Sequence, residues 1–173
     1  QKFNNDYKCS NFFPLPEAYI EKEISRVMSL RNGSSKMSKS DPSDYSRINL
    51  KDDKDTIVKK IKKSKTADTV MPSSLEEINK LVEVNNLLNI FVGVSDFSKT
   101  ELLSKYEGKN FSNFKNDLSE VLAEKIHPIG CEIKKLMKDK KYLSQVMLDG
   151  AIKAKEKSQV VIDEVYDIIG FVK

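Results

Sequence analysis

Apolar residues recur at helical rather than alternating spacing over most of this chain. After Asp53, Ile57, Val58 and Ile61 share one face, while Lys59, Lys60, Lys62 and Lys63 fall largely elsewhere. That pattern predicts an amphipathic helix with a basic outer face. Pro72-Ser73-Ser74 interrupts it. Ser74 is placed to cap a new helix, and Glu76 and Glu77 in its first turn suit the positive end of the helix dipole. This helix is expected to run through Leu81, Val82, Val84, Leu87 and Leu88 to about Val92, stopping near Gly93. A short helix from Ser98 or Thr100 to Gly108 follows. Phe111 to Asp139 forms a longer one, with Phe114, Leu118, Val121, Leu122, Ile126, Ile129, Ile133 and Met137 in register and Pro128 inside. The last helix is expected near Tyr142. Its stripe of Leu143, Met147, Ala151, Ala154, Val161, Val165 and Ile169 reads as core, and Gly150, Ala151 and Ala154 are small enough to admit a neighbouring helix.

The first fifty residues pattern differently. Gln1 to Tyr7 reads as the tail of a helix, and Cys9 to Pro16 as an aromatic, turn-rich connection in which Pro14 and Pro16 block regular structure. Arg26-Val27-Met28-Ser29-Leu30 is a short strand candidate bounded by the Asn32-Gly33 turn, and Ile48 to Leu50 reads as extended.

Composition narrows the classes. The 173 residues suffice for one domain, or one and a smaller piece; 39% are hydrophobic and 32% charged, as in a soluble helical protein. The net charge of +4 is compatible with an RNA partner without demanding one. Cys9 and Cys131 are far apart, and with His127 the sole histidine no zinc-ligand spacing exists. The two cysteines read as reduced, buried residues of an intracellular protein. His127, beside Pro128 on a helix, is a poor acid–base candidate. No apolar run is long enough to span a bilayer, and no signal peptide is expected from these residues.

The chemistry concentrates at Lys36-Met37-Ser38-Lys39-Ser40, followed by Asp41-Pro42 and preceded by Asn32-Gly33-Ser34-Ser35. Two ammonium groups, two hydroxyls and free backbone N–H groups on a flexible segment can converge on the oxygens of a polyphosphate. A solvated Lys/Ser loop is the bland alternative. The segment has no run of glycines, so the lysines carry most of the charge. Asp41 is placed to brace the loop.

That pentapeptide is the signature of the class I aminoacyl-tRNA synthetases. The surroundings resemble their bacterial-type tryptophanyl members: Phe3-Asn4-Asn5-Asp6-Tyr7, Phe13-Pro14-Leu15-Pro16-Glu17, Arg26-Val27-Met28-Ser29-Leu30, Ile48-Asn49-Leu50, and the run from Gln145 to Ala151 with Val165-Tyr166 and Ile169 to Val172. The resemblance implies a mainly α chain: the C-terminal remnant of a Rossmann-type α/β catalytic domain over residues 1–57, carrying the loop, then a helical tRNA anticodon-binding bundle over 58–173. It implies that Lys36 and Lys39 stabilise the phosphates of ATP during catalysis, with Ser38 and Ser40 bonding the phosphates or the loop. Met37 and Val27 would meet the adenine. It implies ATP with magnesium, tryptophan and tRNA(Trp) as partners, a homodimer, and a bacterial cytoplasmic or organellar setting. No metal ligand and no tRNA-reading residue can be assigned. The His-x-Gly-His-type motif of a first βα unit is not found in these residues, so a C-terminal fragment, inactive by itself, is expected. A tyrosyl enzyme, whose tail differs, and a non-catalytic RNA-binding helical module are the alternatives.

Overall fold

The structure, a computed structural model, describes residues 1–20 and 25–172. It is mainly α. The helices are α1 (Lys2–Asp6), α2 (Lys54–Lys62), α3 (Leu75–Lys80), α4 (Val82–Val94), α5 (Lys99–Tyr106), α6 (Phe111–Leu136) and α7 (Lys140–Ile169), with a 3-10 turn at Asp44–Ser46. Two compact units are formed, one from residues 20–135 and one from 1–19 with 136–173.

In the larger unit the helix starts follow local chemistry. Asp53 caps α2 by accepting from Thr56 N at 2.8 Å, and Ser74 caps α3 by accepting from Glu77 N at 3.3 Å. Ser98 and Glu101 form a reciprocal capping box on α5, each side chain accepting from the other's backbone N–H. Gly108 then turns the chain with φ +69°, a conformation that costs a residue bearing a Cβ. The expected helix from Ser74 to Val92 is broken. Leu81, at φ −101° and ψ 78°, leaves the helical region and separates α3 from α4. Tertiary contact explains the break, because the first turn of α4 meets other chain there: Glu83 pairs with Lys65 at 2.9 Å, and the Val82–Glu83 backbone packs on Gly33.

The core of this unit joins Leu30, Ile57, Ile61, Met71 and Ile78 to Leu87, Leu88 and Phe91 of α4, Leu102 of α5, and Phe114, Leu118 and Leu122 of α6. Phe91, Tyr106 and Phe114 stack at its centre, with Phe114 5.8 Å from Phe91 and 5.3 Å from Tyr106 between ring centroids. Truncating a ring so enclosed typically costs about 3–5 kcal/mol. The Tyr106 hydroxyl donates to Asp117, and burial of the ring raises its pKa above the ordinary tyrosine value.

Arg26 to Leu30 is not a strand. Met28 makes one isolated antiparallel bridge with Lys36, and no strand is present among the described residues. A strand needs a neighbour along its whole length; here the pairing extends only around a tight loop. The basic face expected on α2 also needs correcting, since Lys60 is 2% exposed.

In the smaller unit, Phe3 of α1 sits among Tyr7, Phe12 and Phe13 at centroid distances of 4.8, 5.8 and 5.1 Å. Asn4 ties the segment down, its amide donating to Phe13 O at 2.9 Å and accepting from Phe13 N at 3.0 Å. α7 begins at the Asp139 cap, two residues earlier than the apolar pattern suggested, and ends on Gly170 at φ +75°. The stripe on α7 is not core: none of its residues is buried, and Met147 is 75% exposed. A Cβ at Gly150 would meet nothing within 4 Å, so no helix of this unit approaches there among the described residues. The spacing defines an apolar face correctly; burial also requires a covering surface, which the described residues of this unit do not supply. The cysteines differ from expectation too, both being free, with Cys9 half-buried and Cys131 exposed.

Candidate functional site

The loop is built as a hairpin. Ser29 N donates to Ser35 O at 2.8 Å, Met37 N donates to Val27 O at 3.1 Å, and Ser35 N closes the turn on Asn32 O at 3.1 Å. The Asn32 side chain stabilises the turn from within, accepting from Ser34 N and donating to Ser35 Oγ, both at 3.0 Å. Gly33 is required by close approach rather than by φ. A Cβ there would lie 2.7 Å from Val82 C and Glu83 N, well inside contact distance.

Two devices hold the hairpin to the helices. The Asn86 amide of α4 accepts from Met28 N and donates to Met28 O, both at 2.9 Å, in the role a neighbouring strand would fill. The outer edge of Leu30 is paired in the same spirit: its N–H donates to Ser46 O and its carbonyl accepts from Lys65 N, both at 2.9 Å. Leu30 itself is 2% exposed and belongs to the helical core.

Beyond the hairpin the chain is braced by charge. Lys60 Nζ lies 2.6 Å from both Asp44 Oδ2 and Asp52 Oδ2, and Arg47 pairs with Asp44 Oδ1 at 3.0 Å. Asn49 joins the cluster, donating to Asp44 Oδ1 at 3.0 Å and accepting from Arg47 Nε at 3.3 Å. The hydrogen bond from Lys60, and after it that from Asn49, holds the Asp44 carboxyl below the ordinary carboxylate range. Asp41 accepts from Ser43 N at 2.8 Å through its carboxylate and from Arg47 at 2.9 Å through its carbonyl, so it is structural.

These supports frame an open cleft of about 690 Å³. Val27, Lys36, Met37, Ser38 and Lys39 all line it, together with Arg26, Arg47 and Lys51. Ser40 is one step outside the lining, with its hydroxyl 3.0 Å from that of Ser38. Among the described residues no carboxylate lines the cleft, and neither Lys36 nor Lys39 spends its ammonium on an ion pair. Cations without acidic neighbours on an exposed rim suit a multiply charged anion. His127 lies elsewhere, its Nε2 3.4 Å from Cys131 Sγ. The sequence reading missed Asn86, Lys60 and Arg47. A signal for Asn86 existed: it is a polar residue in the apolar register of Val84, Leu87, Leu88 and Phe91.

Helical scaffold and loop together define a class I tRNA synthetase. The family model described as tRNA synthetases class I (W and Y) matches residues 1–127, and the chain belongs to that family. The tryptophan–tRNA ligase of Caulobacter vibrioides is 44% identical over 171 residues, covering 99% of this chain and 50% of that protein. The Mesorhizobium japonicum tryptophan–tRNA ligase is 39% identical over 191 residues, covering 100% of this chain and 54% of that one. The chain thus spans about half the length of the curated relatives it matches. Among solved structures, the tryptophanyl-tRNA synthetase of Mycoplasma pneumoniae superposes with a TM-score of 0.80 at 21% identity, over 100% of this chain and 53% of that one. The Campylobacter jejuni tryptophanyl-tRNA synthetase, described as complexed with ADP and tryptophan, does so at 0.65 and 26% identity, over 98% of this chain and 50% of that one.

Proposed function

We propose that this chain is the loop-bearing and helical region of a tryptophan–tRNA ligase, which activates tryptophan with ATP and transfers it to tRNA(Trp). Residues 1–57 serve the catalytic domain, and 58–173 the tRNA anticodon-binding side. The observation that carries the reading is the carboxylate-free cleft shared by Lys36, Ser38, Lys39, Val27 and Met37. Lys36 and Lys39 draw the ATP phosphates into this cleft and neutralise charge as it shifts toward the leaving pyrophosphate. Ser38 and Ser40, already in contact, present hydroxyls to the phosphates or hold the turn. Val27 and Met37, joined by a backbone hydrogen bond, offer an apolar surface to the adenine.

The identities of the curated relatives favour tryptophan over tyrosine as the amino acid. The cleft favours a ligase over a purely RNA-binding module, which has no use for unpaired lysines on a clamped hairpin. Magnesium accompanies ATP in this reaction. The residues near the loop do not form a site for it: Asp41, Asp44 and Asp52 are committed to Ser43, Lys60, Arg47 and Asn49, and no cluster of three potential ligands exists among the described residues. The reading includes a homodimer and a cytoplasmic setting. Among the described residues, no helix is long and apolar enough to cross a membrane.

The test is tryptophan-dependent exchange of pyrophosphate into ATP by the whole ligase, with Lys36→Ala and Lys39→Ala compared with the parent. A drop in exchange of at least about a hundredfold supports the assignment. Full activity in both variants removes the loop from the chemistry.

A further inference from the structure

A polar cleft of about 490 Å³ opens between the C-terminal end of α2 and the first turns of α6, and it shares no residue with the nucleotide cleft. Lys62, Thr66, Ser112, Lys115 and Asn116 line it, with Phe111 adding apolar surface. Among the described residues no carboxylate lines it. Lys115 Nζ donates to Ser64 O at 2.7 Å and lies 3.5 Å from Lys62 O, at carbonyls that the end of α2 leaves open. Lys115 is half-buried, and burial pushes its pKa down because no counter-charge offsets the lost water. Lys60 and Lys65 nearby are neutralised by Asp44, Asp52 and Glu83, whereas Lys62 and Lys115 enter no ion pair among the described residues.

Two uncompensated cations in one cleft suit an anion, and the other groups present narrow its class. Lysines, hydroxyls, a side-chain amide and a helix N-terminus are together the groups that hold the backbone phosphates of nucleic acids. Thr66, Ser112 and Asn116 can each both donate and accept, as the 2′-hydroxyl of a ribose requires. A lone carboxylate would leave most of these donors unused.

We propose that this cleft binds a backbone phosphate of an RNA and its adjoining ribose, with Lys62 and Lys115 toward the phosphate and Thr66, Ser112 and Asn116 toward the phosphate and sugar oxygens. The proposal rests on the reading of the helical region as the RNA side of a tRNA ligase, and adds the residues that grip the RNA backbone. Such contacts fix where the RNA lies without reading its sequence.

The experiment measures binding of a tRNA(Trp) transcript to the whole ligase over a range of salt. Lys62→Gln should weaken binding about fivefold and lower the slope of log Kd against log salt by about one. Ser112→Asp should weaken it at least as much, because it sets a negative charge against the phosphate. The same charge in the first turn of α6 suits the helix dipole, so the thermal midpoint should hold or rise. Lys59→Gln, the same charge change on an exposed residue of α2 outside the cleft, should stay within about twofold of the parent. In the unaltered ligase, bound tRNA should shield Lys62 from amine acetylation and leave Lys59 reactive. Tryptophan-dependent pyrophosphate exchange by the parent needs no tRNA and tests the ligase reading separately. A parent that exchanges, while Lys62→Gln and Ser112→Asp keep its tRNA affinity and salt slope, overturns this site alone. Equal losses in Lys59→Gln, acetylation of Lys62 unchanged by tRNA, or a raised KM for ATP with tRNA binding intact, which would give the cleft to a free nucleotide, would each overturn it as well.

Discussion

The side-chain amide of Asn86 grips the peptide of Met28, 58 residues away, from both sides: it accepts from the Met28 N–H and donates to the Met28 carbonyl, each at 2.9 Å. It also reaches Ser29 O at 3.4 Å. One asparagine thereby stands in for a missing strand and couples the lysine loop to α4. Replacement by Leu, similar in size, leaves two partly buried backbone groups unpaired. The expected loss is about 2–3 kcal/mol, read from the denaturant midpoint, with faster amide exchange at Met28. An unchanged midpoint would mean the hairpin is held by other contacts.

Gly33 should tolerate no side chain. Gly33→Ala places a Cβ 2.7 Å from backbone atoms of Val82 and Glu83, which cannot rotate away. The hairpin must lift from α4 or α4 must shift, at about 2 kcal/mol. Gly108→Ala is the control: nothing lies within 4 Å of its Cβ, so only the φ of +69° is penalised, at about 1 kcal/mol. Thermal unfolding of the two variants should rank them in that order, and the reverse order would show that the Gly33 contact relaxes freely.

Lys60 is a buried ammonium held between two carboxylates. Lys60→Met leaves Asp52, 10% exposed, without its cation, and Asp44, 54% exposed, with Arg47 as its remaining ion-pair partner. A destabilisation of about 3 kcal/mol at neutral pH is expected, less than for a wholly buried cluster because Asp44 is half in solvent. The pH dependence follows from the lowered Asp44 pKa. Its contribution is fully present above the ordinary value of 3.8 and is lost as pH falls through the lowered folded value. Parent and variant should therefore converge in stability at acid pH. A constant difference down to the lowest pH would show that Lys60 acts by packing alone.

Within the whole ligase, Lys39→Ala should lower the rate of tryptophan activation more than it weakens ATP binding. Lys39 sits exposed on a turn, free of any ion pair among the described residues, so it can engage as charge develops. The loss of one such contact costs on the order of 3 kcal/mol, about a hundredfold in rate. Pre-steady-state kinetics separate the two effects. An equal loss of ATP affinity with unchanged turnover makes Lys39 a ground-state binding residue.

Much of this architecture was legible from the chain alone, and the reason is range. Helix hydrogen bonds join residues four apart, and caps act within three, so Asp53, Ser74, Ser98 and the apolar spacing of Phe111 to Leu136 already specify where α2, α3, α5 and α6 form. The composition of residues 32–40 likewise marks a turn that gathers lysines and serines. Contacts between distant residues left no such trace. Leu81 breaks a helix its own residue type favours because the start of α4 must meet Gly33 and Lys65. Met28 lies in a segment that reads as a strand yet finds a partner in the Asn86 side chain, and Lys60 carries a surface residue's charge yet is enclosed by Asp44 and Asp52. Propensity and periodicity describe what a segment can bury or bond; which group it bonds is decided only when the folded chain brings remote donors, acceptors and charges to within hydrogen-bond distance.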